Sequence, residues 1–244
     1  QVKLYFMCGL PTETDDDVLQ IAELAREVIK AGREAAGTKD IRCTVSIGGF
    51  VPKPHTPFQW AAQLDHETTD ARLRKLRDAI RADRQYGKAI GMRYHDGRPG
   101  IVEGLLSRGD RRVGAVILQA WRDGQRFDGW SEHFSFDRWM TAAEAALADQ
   151  PVDVDWFTTR ERQRTEVLPW DHLDSGLDAE WLWEDWQDAL SEVAVDDCRW
   201  TPCFDCGVCD QLDLEIQVGP TGVVNLPMPS LPPANPVLAD VSES

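Results

Sequence analysis

Four cysteines near one end of the sequence are the residues with the plainest chemical potential. The stretch "DCRWTPCFDCGVCD" sets Cys198, Cys203, Cys206 and Cys209 in a C-x4-C-x2-C-x2-C run. Four thiolates at such spacing can close a tetrahedral zinc site or hold an iron-sulfur cluster. Two successive C-x2-C steps are nearer to the ligand run of ferredoxins than to zinc ribbons, whose cysteine pairs stand many residues apart. Gly207 suits the tight turn that would bring backbone N–H groups toward sulfur. A set of free thiols, or a disulfide under oxidation, is the bland alternative. Cys8 and Cys43 fall on apolar segments and read as buried packing thiols.

Other reactive residue types are dispersed. His55, His66, His95, His133 and His172 share no metal-ligand spacing. In "SRGDRR", Arg108, Arg111 and Arg112 surround Asp110. The cluster can either hold an anionic group such as a carboxylate or phosphate, or form a salt-bridge network between two halves of the chain. "WLWEDW" reads as a hydrophobic or partner-docking helix face, with Glu184 and Asp185 in solvent. No Walker loop, G-x-S-x-G or H-E-x-x-H occurs.

The elements that must position these residues are legible in outline. Residues 2–8 form an apolar, β-prone run that breaks at Gly9-Leu10-Pro11. Thr14 then caps a helix whose first turn carries Asp15, Asp16 and Asp17. Val18, Ile21, Ala25, Val28 and Ile29 repeat along it at helical spacing, with a stop near Gly32 or Gly37. Cys43, Val45 and Ile47 alternate as a second strand, which runs into the proline-rich "VPKPHTPFQW". A helix over roughly 67–86 follows, with Leu73, Leu76 and Ile80 on one face. Residues 1–86 are thus two β-loop-α units, for which parallel pairing is expected. "GMRYHDG" offers one more short strand, and four helical segments follow, at about 99–108, 113–123, 135–149 and 177–193. Nine of ten tryptophans lie between 121 and 200, which assigns them to the core of this helical half. Residues 212–218 and 222–226 around "GPTG" suit a small hairpin, and the Pro- and Ser-rich text from 227 reads as disordered. The division expected is 1–90, 91–192, 193–226 and 227–244.

A net charge of −16, with 42 acidic against 26 basic residues, repels phosphate backbones and anionic lipid. Non-specific nucleic-acid or membrane binding is therefore disfavoured, while a local groove for tRNA stays open. No apolar stretch approaches the roughly 20 residues that span a bilayer. The expected compartment is the cytoplasm, where thiols stay reduced and a cysteine cluster favours metal.

"LYFMCGLPTETDDDV" resembles the fifth barrel strand of radical S-adenosylmethionine (radical SAM) enzymes. Its "GLPTET" is similar to the GxPGET turn of radical SAM methylthiotransferases and coproporphyrinogen dehydrogenases. "SIGGFVPKPHTPFQW" resembles the sixth strand and its exit loop. Together with "EGLLSRGDRR", "LPWDHLDSG" and "DCRWTPCFDCGVC", these blocks resemble a bacterial radical SAM family often encoded beside, or fused to, a DUF2344 domain. The resemblance implies the C-terminal part of a partial (β/α)6 TIM-like barrel, then a mainly helical Trp-rich extension and a small Cys-rich tail. It implies S-adenosyl-L-methionine and a 4Fe-4S cluster as cofactors, and a DUF2344 protein as a partner. Met7 and Gly9 would lay backbone against the cofactor's adenine, with Phe50 and Val51 flanking the ring. Cys198, Cys203, Cys206 and Cys209 would hold an auxiliary iron-sulfur cluster or zinc. Glu13 stands one residue too far from Gly9 for the family's ligand spacing and is given no ligand role. The C-x3-C-x2-C loop that binds the radical-generating cluster does not occur. The chain therefore reads as the C-terminal fragment of a longer enzyme of unknown substrate, inactive alone. The alternative is a metal-stabilised protein-interaction module without catalysis.

Overall fold

Alternation along the first strand decides which side of the sheet is covered. In β1 (Val2–Cys8), Leu4, Phe6 and Cys8 join the core, while Lys3, Tyr5 and Met7 on the opposite face stay exposed. The structure, a computed structural model, describes residues 1–215. β2 (Cys43–Gly49) and β3 (Ile90–Tyr94) continue a parallel sheet in the order β1-β2-β3. The register sets Val2 opposite Cys43 and Cys43 opposite Ile90. Parallel neighbours require crossovers, which α1 (Asp15–Ala36) and α2 (His66–Ala82) supply. Val18, Ile21, Ala25 and Ile29 of α1 and Leu73, Leu76 and Ile80 of α2 bury Val45 and Ile47 in one core.

The helix ends follow local chemistry. Thr14 Oγ1 accepts from the Asp17 N–H while the Asp17 carboxylate accepts from the Thr14 N–H at 2.7 Å, a reciprocal capping box. Gly37, at φ 61°, ends α1, and Gly32 lies inside the helix. α2 stops at Ala82 rather than running to 86. The Asp83 carboxylate accepts from the N–H groups of Gln85 and Tyr86 and turns the chain away.

The β-α pattern extends one unit further than residues 1–86. β3 pairs with β2, and α3 (Gly97–Arg108) follows it, capped by Asp96. The boundary drawn at residue 90 thus falls at the first residue of a strand. The described residues make a mixed α/β fold around an open three-stranded sheet, and no barrel closes among them. Beyond α3, α4 (Val113–Arg122), α5 (Phe136–Leu147) and the single turn α6 (Val154–Phe157) build a second core around Leu105, Val116, Trp139 and Phe157. A third core sets Leu182 and Trp186 of α7 (Ala179–Leu190) against Trp60, Leu168 and Trp170. The expected core role holds for Trp139, Trp170 and Trp186, joined by Trp60 from the first half, whereas Trp121, Trp130 and Trp200 are exposed. α8 (Val208–Leu212) is the last described helix. The expected hairpin and disordered tail fall mostly or wholly beyond residue 215, outside the described residues. No helix among the described residues is long and apolar enough to cross a membrane.

Two buried guanidinium groups join the halves. Arg108 donates to the carbonyls of Thr158 at 2.7 Å and Ala61 at 2.8 Å. Arg162 donates in turn to the Arg108 carbonyl at 2.8 Å and to Phe157 at 3.2 Å. A salt-bridge network was one expectation for "SRGDRR". The joint instead runs from Arg108 to backbone carbonyls, and Arg112 alone of the three arginines pairs with Asp110.

Leu76 is fully buried between α2 and the sheet. Leu76→Ala is expected to cost about 2–5 kcal/mol in chemical denaturation. Tyr5→Ser, on the uncovered face, is expected to change stability by no more than about 0.5 kcal/mol.

Candidate functional site

In parallel α/β structures ligands gather where the strands end in loops, and here those ends are held open by glycine. β1 exits through Gly9 at φ 100°, a conformation that disfavours a side chain. A Cβ there would also come within 3.3 Å of the Leu64 side chain. The Gly9 N–H donates to Glu13 Oε2 at 2.7 Å. Arg72 of α2 donates to the same oxygen at 2.9 Å, to the Glu13 carbonyl at 3.0 Å and to Asp15 at 3.2 Å. Glu13 is thus a nearly buried clamp that fixes the loop against α2. This role was invisible in the sequence, because its partner stands 59 residues away.

The sheet register brings three of the four cofactor-facing candidates together. Met7 lies opposite Gly48 and Cys8 opposite Gly49. The Phe50 N–H donates to the Cys8 carbonyl at 2.8 Å, and Phe50 Cβ lies beside Gly9. Met7 is exposed, and a Cβ on Gly48 or Gly49 would meet nothing within 4 Å. Phe50 is half-buried, edge-on to Phe58 with ring centres 5.3 Å apart. Val51 is buried and stands apart from this group, its Cγ2 near Gly100 of α3.

Cys8 and Cys43 are buried, as their apolar segments suggested. Burial, and then the neighbouring Glu13, push the Cys8 thiol up to about 12. Burial also raises the Cys43 thiol.

The four-cysteine run lies elsewhere, beside α7. The Asp205 N–H donates to Cys203 Sγ at 3.3 Å. Asp205 and Gly207 both take left-handed backbone, at φ 53° and 90°. The turn is fastened to the helix start: the N–H of Asp178, the α7 cap, donates to the Cys206 carbonyl at 2.9 Å. A Cβ on Gly207 would meet the Gly176 carbonyl oxygen at 2.9 Å, so only glycine fits. Cys198 and Cys203 are exposed, Cys206 and Cys209 half-buried, and all four are free thiols. Desolvation, followed by the charges of Cys203, Cys206 and Cys198, raises the Cys209 thiol. Among the described residues no group of three or more His, Cys, Asp or Glu side chains is arranged to hold a metal ion.

Two smaller expectations resolve differently. Glu184 is exposed, but Asp185 is half-buried, and burial raises its carboxyl. His66 packs edge-on against Phe136, with ring centres 5.1 Å apart.

Comparison with known proteins adds little to this geometry. No family model matches the chain, and no solved structure matches it. It is similar to "Uncharacterized protein MJ0966" of Methanocaldococcus jannaschii, at 29% identity over 117 residues. The match covers 48% of this chain and 23% of the archaeal protein, so it spans less than a quarter of that relative's length.

Thiol labelling checks the two cysteine environments. Cys8 and Cys43 are expected to resist iodoacetamide at mildly alkaline pH until the protein is unfolded, because the thiolate is the reactive form. Modification of Cys8 in the folded chain would contradict the Glu13-lined, buried setting.

Proposed function

We propose that this chain forms the C-terminal wall of a radical SAM enzyme, a partial (β/α)6 barrel completed by strands of the same protein. The observation that carries the reading is the uncovered face of the sheet. Among the described residues helices pack on one side only, and the other side carries the rows Lys3–Thr44–Gly91 and Tyr5–Ser46–Arg93, in which the central Thr44 is buried between its neighbours. Parallel sheets are ordinarily covered on both faces. In a barrel the second face turns inward, and the carboxyl ends of its strands carry the ligand. The likeness of "GLPTET" and "FVPKPHTPFQW" to radical SAM strands supports the same placement.

In this reading Met7, Gly9 and Phe50 lie along the adenine of S-adenosylmethionine, and Val51 fixes the loop from behind rather than touching the ring. The open backbone at Gly48 and Gly49 fits the close approach of such a ligand. S-adenosylmethionine with its 4Fe-4S cluster supplies a carbon-centred radical when bound. This sequence contains no C-x3-C-x2-C loop, so no radical step is assigned to the chain by itself. Its own residues shape the adenine side of the site, with the Glu13–Arg72 clamp holding the turn. Cys198, Cys203, Cys206 and Cys209 would hold an auxiliary iron-sulfur cluster or zinc. The donor set suits either metal, and the Asp205 N–H already aimed at Cys203 Sγ is the contact that stabilises a thiolate ligand. The protein belongs in this reading to the cytoplasm, with its substrate unassigned and a DUF2344 protein as a partner.

One observation favours a second reading, a metal-stabilised interaction module. The cysteine turn is fastened to Asp178, so metal there would brace the Trp-rich helix α7 for a partner. Iron with acid-labile sulfide in the purified protein sides with the first reading, whereas zinc alone is compatible with both.

The coding sequence upstream of Gln1, read in frame, tests the proposal. A continuing frame that carries C-x3-C-x2-C after a strand is the expected result. A start codon directly before Gln1 would overturn the enzyme reading.

A further inference from the structure

The two buried arginines that join the halves of the chain have no carboxylate partner among the described residues. Arg108 is fully buried and Arg162 is 2% exposed. Backbone carbonyls accept from Arg108 Nη1 and Nη2 and from Arg162 Nη2. Arg162 Nε and Nη1, and Arg108 Nε, donate to nothing among the described residues. Carbonyl dipoles satisfy hydrogens but do not cancel charge, and a buried charge without a counter-charge is costly. Burial, then the repulsion of Arg162 and Arg160, pushes the Arg108 guanidinium down to about 9.

Two of the three nearby acids are already paired with arginines. Asp110 pairs with Arg112, with its closest contact at 2.6 Å. Glu166 receives both terminal nitrogens of Arg160, at 2.7 and 2.6 Å. These pairings hold both carboxyls below their usual range, through the hydrogen bonds of Arg112 and Arg160 respectively. They are also the two acids whose charge reaches Arg162. Asp171, the third acid beside the cavity described next, accepts from the Leu168 N–H at 2.7 Å.

Arg162 lines a cavity of about 510 Å³ between the turn after α3 and residues 162–172. Trp156 and Leu168 give it apolar wall, and Arg111 and His172 stand exposed at its rim. Neither Arg111 nor His172 has a side-chain partner among the described residues, so both have donors to offer. The volume suits a small-molecule ligand. The lining carries Arg111 and Arg162 against Asp110, Glu166 and Asp171. Asp110 and Glu166 are held by Arg112 and Arg160, and Arg108 lies beside Arg162, so five guanidinium groups stand against three carboxylates, a balance that favours an anion.

We propose that this cavity is an oxyanion site for a small molecule bearing a phosphate or carboxylate group, held by Arg111 and His172 at the rim and charge-balanced by Arg162. This inference does not depend on the radical SAM reading. The site stands apart from the strand ends, and its ligand would steady the joint between the two halves.

Inorganic phosphate and acetate are the probes, titrated into the full chain against sodium chloride at matched ionic strength and read by thermal unfolding and calorimetry. A saturable rise in melting temperature with either oxyanion, beyond the chloride control, is expected. Binding by phosphate alone would identify a phosphate-bearing ligand, and binding by acetate a carboxylate. Because Arg162 variants can fail to fold, the deciding variant is the exposed pair Arg111→Gln with His172→Gln. It is expected to melt at the wild-type temperature without the anion and to bind at least about tenfold more weakly, a loss of about 1.4 kcal/mol. Equal shifts from chloride and both oxyanions, or undiminished binding by the double variant, would overturn the proposal.

Discussion

The structure depends on one interaction more than any other, the pair of buried guanidinium groups at Arg108 and Arg162. Arg108 reaches from the end of α3 to two carbonyls, Ala61 in the loop after β2 and Thr158 beyond α6. Arg162 closes the set by donating to the Arg108 carbonyl, and its own N–H donates to the Trp60 carbonyl at 2.8 Å. The Gln63 N–H donates to the Thr158 carbonyl beside them. Three stretches far apart in sequence are thereby locked at one point. The second and third hydrophobic cores meet there, since Leu105 and Phe157 belong to the second and Trp60, Ala61 and Trp170 to the third. Arginine suits this task because its planar fork can serve several acceptors at fixed angles while remaining charged. The arrangement leaves positive charge inside an acidic protein, which is why the adjoining cavity has the character of an anion site.

The sheet half was largely legible because its signals are local. Thr14 followed by acidic residues and periodic Val18, Ile21 and Ala25 specifies a capped helix without reference to anything distant. β3 was harder to read, since Ile90–Tyr94 is five residues long and contains Gly91. Its assignment is decided by pairing with β2, which no local pattern contains. The end of α2 moved for a similar reason. Residues 83–86 look helical by composition, but the Asp83 side chain captures the N–H groups that would have continued the helix. The tryptophans identified a core without saying which of them would face it. Trp186 is buried because its face of α7 packs on Trp60 and Trp170, whereas among the described residues Trp121 on α4 has no such apolar partner and is covered in part by the Arg126 guanidinium.

The candidate site at the strand ends was named through a family resemblance, and its contacts were not legible in the sequence. Met7, Gly9 and Phe50 converge because a parallel register aligns the carboxyl ends of β1 and β2. Val51, the next residue, is buried, with Cγ2 toward Gly100 of α3. Glu13 failed a spacing test for a ligand and proves to be the clamp on the same turn, a role set by Arg72 across two helices. Likewise Arg111 belonged to a recognised cluster, but nothing local tied it to Arg162 and His172. The cysteine run shows the opposite case. Its knuckle-like turn, with Gly207 and the Asp205 N–H at Cys203, is where the short-range pattern suggested it.

The functional account therefore rests on an open sheet whose uncovered face and glycine-lined strand ends suit a barrel's ligand side. The most direct test is anaerobic incubation of the protein whose reading frame contains this chain, with its iron-sulfur content restored, with S-adenosylmethionine and a strong reductant. The account predicts release of 5′-deoxyadenosine, diminished when Gly48 and Gly49 are replaced by valine to crowd the strand ends. A reduced, cluster-loaded protein that leaves S-adenosylmethionine intact would contradict it.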